Sequence, residues 1–217
     1  MKYYFIIIVI VIVILYNIYA FNENNNINIR KSVNPILRRK ILIDLYNMII
    51  DAAERSNTKP FITYGTLLGY IRNKDLICYD YDLDFGININ EWEQIKKEII
   101  KYKSNIYKID FKEFLKYKSV EIIHIPTRIS ADIFTFSINK NMYSRDVPKL
   151  FTRYYLNEKC VDFPINWIDP LNKVKFLDRF TYIPNQPINF LECYYGKNFI
   201  TPDHKCNNDC TICEKNK

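Results

Sequence analysis

Between Cys78 and Asn90 the chain alternates strictly, with Tyr79, Tyr81, Leu83, Phe85, Ile87 and Ile89 on one phase and Asp80, Asp82 and Asp84 leading the other. That is the period of a β-strand with one buried face. Burying the odd positions sets three carboxylates side by side on the opposite face, where they repel one another unless something cationic sits among them. A hard metal ion is the usual partner of such an oxygen set. Just upstream, Tyr64-Gly65-Thr66-Leu67-Leu68-Gly69 is a short apolar run into a small-residue turn.

The flanking pattern predicts an α/β order. Pro35 opens a helix to about Ser56, with Leu37, Ile41, Leu45, Met48 and Ala52 on one stripe. Phe61 to Tyr64 reads as a short strand, and Gly65-Thr66 then turns into a helix reaching about Arg72, with Thr66 as its cap. Asn90 is placed to cap a helix through about Tyr102, with Glu93 in capping-box position. Val120 to Ile125 and Ile129 to Ile138 read as strands, and Asp132 lies within the second. Beyond Tyr143 the prolines and aromatics predict short helices and loops packed on the sheet.

The chain has 217 residues, 48% of them hydrophobic, and reads as one domain with appendages. Its net charge of +7 comes from scattered Lys and Arg mixed with Asp and Glu, a solvated surface and not a nucleic-acid face. Residues 1–21 are almost wholly apolar and read as a signal-anchor or transmembrane segment, or as a cleaved signal that would leave the protein secreted. Residues 22–34 form a polar stem, 35–203 the domain and 204–217 a Cys-rich tail. This arrangement predicts a membrane-attached domain in the ER/Golgi lumen or on the extracellular side. Six cysteines in an oxidising compartment favour disulfides. His204, Cys206, Cys210 and Cys213 leave zinc open as the alternative.

Two carboxylates at i and i+2 on one strand face, with a third from a neighbouring strand, build an oxygen cage open on one side. Mg²⁺ or Mn²⁺ held that way keeps positions free for substrate phosphates. The strand–Gly65-Thr66–helix element offers backbone N–H groups and a positive helix end to the same phosphates, and Arg72 is positioned to clamp one. These are the parts of phosphoryl transfer.

The segment YGTLLGYIRNKDLICYDYDLDFGI resembles the signature of the LicD/fukutin family, a GTLLG-x2-R element followed by a W-D-x-D-x-D-like run. The later stretch DPLNKVKFLDRFTYIPNQPINFLECYYGKNF is similar to that family's C-terminal pattern, which closes on L-Y-G-K-x-W. The resemblance implies a nucleotidyltransferase-like mixed sheet flanked by helices, and transfer of phosphocholine or a phospho-alditol from a CDP-activated donor to a glycan. By position it makes Asp82 and Asp84 the metal pair, Asp80 the leading acidic residue, Gly65 and Thr66 the phosphate turn and Arg72 the basic residue. Asp132 is the third carboxylate, a metal ligand or the acceptor of the glycan hydroxyl's proton. Tyr79, Tyr81 and Phe199 depart from the pattern and put donor specificity in question.

Other readings remain open. A nucleotidyltransferase acting on a small molecule would use the same three Asp residues, and a silent membrane-anchored scaffold would need a broken site. An EF-hand starting at Asp80 requires Gly where Phe85 stands. His124 reads as a core or edge residue, Lys173 and Lys175 as solvated, and Tyr64 and Trp167 as core aromatics or base-stacking platforms.

Overall fold

Asn34 and Pro35 start the first long helix as capping chemistry requires. Asn34 Oδ1 accepts from Ile36 N at 2.9 Å, and Pro35 fills a position where a missing N–H costs nothing. The computed structural model describes residues 25–114, 116–145, 160, 162–202, 204–206 and 213–215, and it carries this helix, α1, over Pro35–Ser56. The buried face is turned relative to the expected stripe: Ile41, Leu45 and Ala52 are buried, whereas Leu37 is 47% exposed and Tyr46 and Ile49 take its place inside. Asn57 closes the helix in the left-handed conformation, with φ 52°. Residues 25–33 belong to a compact unit separate from Asn34–Lys217, and within it 25–32 are helical.

The apolar N-terminal run on which the membrane segment was expected lies outside the described residues. No described helix is long and apolar enough to cross a membrane.

The elements that follow are β1 (Phe61–Ile62), α2 (Tyr64–Asn73), β2 (Asp82–Asn88), α3 (Trp92–Ile99), β3 (Tyr107–Phe114), β4 (Tyr117–His124), β5 (Ser130–Asn139), β6 (Met142–Arg145), β7 (Asp162–Pro164), α4 (Ile165–Ile168), β8 (Asn172–Phe176), β9 (Arg179–Ile183) and α5 (Pro187–Tyr195). A hairpin of β10 (His204–Cys206) and β11 (Cys213–Lys215) ends the described chain. The main sheet runs β3-β4-β5-β2-β1-β9-β8, with β6 on β5 and β7 on β6. It is mixed: β2 lies parallel to β5 and β1 parallel to β9, and the other pairs are antiparallel.

Register explains the two faces. Phe85, Ile133, Val120 and Phe111 lie opposite one another across β2, β5, β4 and β3. This apolar row carries α1 and α3, through Tyr46 against Phe85 at 6.1 Å and Trp92 against Phe111 at 6.1 Å. One residue along, the same strands align Asp84, Asp132, Glu121 and Asp110, which must face the other way. On that second face the aromatics Phe61, Phe136, Phe163 and Phe190 form a cluster. Gly86 is small because a Cβ there would meet Phe61 at 2.6 Å and Phe136 at 2.8 Å.

Several expectations need correction. The strand begins at Asp82, because Cys78-Tyr79 is a turn. Asn88 supplies the cap ahead of α3, accepting from Asn90 N at 3.0 Å, and Asn90 itself lies within a 3-10 turn. The region beyond Tyr143 adds strands to the sheet as well as short helices.

Candidate active site

The Tyr64-Gly65-Thr66 turn fixes Asp84 by its backbone. Thr66 Oγ1 accepts from Asp84 N at 2.8 Å, and Thr63 N donates to Asp84 O at 3.0 Å. Thr66 is therefore a strap on β2 and not the cap of α2, whose N-cap is Thr63 without a side-chain bond. Tyr64 is held at φ 41°, a left-handed conformation costly for a bulky residue. Its ring is gripped by Tyr194 at 4.4 Å and Phe190 at 5.7 Å, and its hydroxyl accepts from Arg145 Nη1 at 3.2 Å.

Gly65 lies close against the carboxylates: a Cβ there would lie 3.1 Å from Asp80 Oδ2 and 3.8 Å from Asp84 Oδ2. Gly65→Ala should leave the melting temperature within a few degrees, since Ala favours the helix by about 1 kcal/mol. The added methyl presses on Asp80 and reaches Asp84 at contact distance, so divalent-ion binding should weaken severalfold, and calorimetry beside a thermal melt checks both halves.

Asp80, Asp82, Asp84 and Asp132 are each half-buried. Burial pushes Asp80 up to about 7, and the neighbouring Asp82 charge adds to it, while Arg38 and Arg72 oppose. Burial likewise raises Asp132 to about 8, helped by Glu121 and Asp82 and opposed by Lys112 and Arg145. Asp84 lies well above the ordinary carboxylate range, first by burial and then by Asp82, Asp132 and Asp80. So many carboxylates holding one another protonated are short of positive charge.

Among the described residues, no three His, Cys, Asp or Glu side chains form a ready metal cage. The donor set, all carboxylate oxygen and mutually repelling, nevertheless suits a hard divalent ion. Asp82 and Asp84 would hold it from β2, with Asp132 beside them on β5.

The cations are disposed unevenly. Arg72 spends its guanidinium on the returning chain: Nε donates to Phe199 O at 2.7 Å and Nη2 to Thr201 O at 3.4 Å. Arg38 Nη2 donates to Cys78 O at 2.7 Å, anchoring the turn before Asp80. Arg145 is 6% exposed and lies 3.8 Å over the Phe134 ring. Lys112 Nζ is 3.3 Å from Glu121 Oε2.

Glu121, Lys112 and Arg145 escaped the sequence reading. Glu121 was detectable as a polar-phase residue of an expected strand directly preceding Asp132 in the sheet, whereas Arg145 reaches the site only through tertiary packing.

The remaining residues of interest take structural roles. His124 Nδ1 pairs with Thr127 Oγ1 at 2.7 Å and its ring packs on Tyr107. Lys173 lies 4.9 Å over Phe180, and Lys175 is 3.5 Å from Asp178. Trp167 packs on Phe163. Cys160 and Cys193 form a disulfide with Cα atoms 5.9 Å apart, and Cys78 is disulfide-bonded too. Cys210 and the side chains of Cys206 and Cys213 lie outside the described residues, so the zinc alternative falls there.

A family model for the LicD/FKTN/FKRP nucleotidyltransferase domain matches residues 57–186. An uncharacterized protein of Rickettsia prowazekii, RP689, is 27% identical over 161 residues, covering 72% of this chain and 55% of that protein. Ribitol 5-phosphate transferase FKRP of Mus musculus is 23% identical over 158 residues, 70% of this chain and 30% of that protein. The chain thus spans about half the length of the rickettsial relatives and less of FKRP. Among solved structures, ANT(2")-Ia in complex with adenylyl-2"-tobramycin gives a TM-score of 0.42 at 11% identity, covering 65% of this chain and 68% of that one, a likeness on which no conclusion rests. The family match runs from β1 through β9 and takes in the turn and both aspartate strands, and on it this chain belongs to the LicD/FKTN/FKRP family.

Proposed function

We propose that this protein transfers a phosphorylated small group, a phospho-alditol or phosphocholine, from a CDP-activated donor to a glycan hydroxyl. The observation that carries the reading is the alignment of Asp84 on β2 with Asp132 on β5, two residues from Asp82 and against the Gly65 turn. FKRP, a relative named for ribitol 5-phosphate transfer, favours the same class of reaction. The acceptor oxygen bonds to the distal phosphorus of the donor, the bridging P–O bond breaks, and CMP leaves.

A bound Mg²⁺ or Mn²⁺ would neutralise charge on the phosphates. This chain's own residues do the rest. The Tyr64-Gly65-Thr66 turn brings backbone to the carboxylates and fixes Asp84, while the Asp80–Arg38–Arg72 group orders the mouth. Asp132 closes the ligand set or takes the acceptor's proton. Asp132→Asn separates these roles, since only a ligand's loss weakens the ion more than tenfold. The compartment we infer is luminal or extracellular with attachment through the N-terminal segment, supported by the Cys160–Cys193 disulfide.

Calorimetric titration with CDP-choline, CDP-ribitol and CTP in Mn²⁺ tests the reading. Metal-dependent binding of one CDP donor is expected, and Asp82→Ala/Asp84→Ala should abolish it. A folded protein that binds none of them refutes it.

A further inference from the structure

At the end of β2 away from the aspartates the sheet borders a cavity of about 630 Å³ that the reaction does not use. Asp82, Asp84, Gly86 and Asn88 share one phase of the strand, so Asn88 faces the same side as the aspartates, roughly 13 Å beyond Asp84 at about 3.3 Å per residue. Phe61 and Phe136 lie over Gly86, where a Cβ would meet both rings. Aromatic side chains therefore stand between the cavity and the carboxylates.

The walls are fastened by hydrogen bonds. Tyr143, 3% exposed, donates from its hydroxyl to Asp169 Oδ2 at 2.7 Å, and Asn88 Nδ2 reaches the same hydroxyl at 3.4 Å. Lys59 N donates to Glu91 Oε2 at 2.8 Å, tying the approach to β1 to the turn after β2. Asn185 holds the segment after α4, its N–H donating to Ile168 O at 3.0 Å and its Nδ2 to Asn166 O at 3.0 Å. Small-molecule sites are usually pre-formed in this way, with a few polar groups set in apolar walls.

The lining selects among ligands. Phe61, Pro170, Leu171 and Tyr182 give apolar and aromatic walls, and the carboxylates of Asp169 and Glu91 open between them. Each carboxylate spends one oxygen on the bonds above and has a second to offer, and a carboxylate only accepts. An anionic ligand would bring further acceptors and like charge to both, against a single cation among the described lining residues, Lys59, whose Nζ lies 6.0 Å over the Tyr182 ring. What fits is a neutral molecule with hydroxyl hydrogens to give and C–H faces to lay on the aromatic walls, which is the chemistry of a sugar.

We propose that this cavity is a carbohydrate-binding site, separate from the aspartates, in which Asp169 and Glu91 accept sugar hydroxyls and the Tyr182 ring packs on a pyranose face. The inference goes beyond the transferase reading and does not depend on it.

The test titrates the full chain with the methyl glycosides of glucose, galactose, mannose, xylose and N-acetylglucosamine, and with choline, by saturation-transfer NMR and calorimetry. At least one glycoside should bind, and the Asp82→Ala/Asp84→Ala protein should bind it equally well. Asp169→Asn and Glu91→Gln each keep an amide oxygen for the Tyr143 hydroxyl or the Lys59 N–H, so their melting temperatures should stay at the wild-type value. Their affinity for that glycoside should fall by about tenfold, the usual worth of a hydrogen bond to a charged group. Tyr182→Leu should weaken it severalfold by removing the flat wall. A folded chain that binds none of the glycosides overturns the proposal, as does binding that survives both Asp169→Asn and Glu91→Gln or that is lost with the Asp82/Asp84 pair. Choline bound in preference to every glycoside makes the pocket a cation site and overturns it too. The transferase reading stands or falls separately, on the CDP donors.

Discussion

Asp132→Asn should raise the melting temperature of the metal-free protein by roughly 5 °C at pH 8 while abolishing group transfer. Folding moves Asp132 from 3.8 to about 8, so the folded protein keeps a proton that the unfolded chain has already released. A group raised on folding contributes stability below its unfolded value, and that contribution is lost as the pH climbs toward the folded one. For Asp132 the window runs from about 4 to about 8, and Asp80, raised to about 7, adds to the slope. Each unit is worth about 1.4 kcal/mol. The carboxylates share protons, so relief from a single Asn is on the order of 2 kcal/mol, or roughly 5 °C for a domain of this size. Melts in chelator at pH 4.5 and pH 8 check the sign: the two proteins should coincide at the lower pH and separate at the higher. With Asp132 as a ligand, adding Mn²⁺ should reverse the order, because the intact cluster then gains more by binding. A wild-type protein that is the more stable at pH 8 in chelator would remove the basis for a cation-seeking site.

How much of this was legible in the chain follows from how local each signal is. Pro35 after Asn34 set the start of α1, and Ser56 its end, because capping is a matter of adjacent residues. Asp82 and Asp84 could be placed on one face from alternation alone, but Cys78 to Tyr81 keep the same alternation without being strand. The carbonyl of Cys78 is taken by Arg38, forty positions away, and its sulfur by a disulfide, and neither shows in a local window.

Other strands escaped for different reasons. β3 carries only Ile109 as a buried side chain, so its pattern is mostly charge. The β8–β9 hairpin turns through Leu177 and Asp178 at φ 48° and 67°, the conformation usually signalled by Asn-Gly, with neither residue a glycine.

Arg72 shows the limit for the site itself. Its place at the end of α2 was readable, but the group it holds is a backbone carbonyl contributed by Phe199, and only the fold brings that carbonyl there. The pairing of Cys160 with Cys193 was likewise beyond reach, since six cysteines allow many connectivities.

Arg145→Met should have the largest effect on stability, a loss of about 10 °C in chelator. Arg145 is 6% exposed, its guanidinium lies 3.8 Å over Phe134 and donates to the Tyr64 hydroxyl, and its charge opposes the raised values of both Asp84 and Asp132. Desolvating a cation this far is tolerated only because the carboxylates and the aromatic face compensate it. Methionine of similar length fills the volume, so what is lost is charge and hydrogen bonding, not packing. Removing one partner of a buried charged set costs about 3–5 kcal/mol, because the others are left uncompensated. The coupling is therefore measurable against Asp132→Asn. With one carboxylate neutral, the same Arg145→Met change should cost at least 1 kcal/mol less, which a double-mutant cycle reads directly. Arg145→Lys keeps the charge but not the planar stack or the fork, and should recover only part of the loss. Strict additivity of Arg145→Met and Asp132→Asn would show that Arg145 serves the aromatic cluster alone, and that the carboxylates draw no compensation from it.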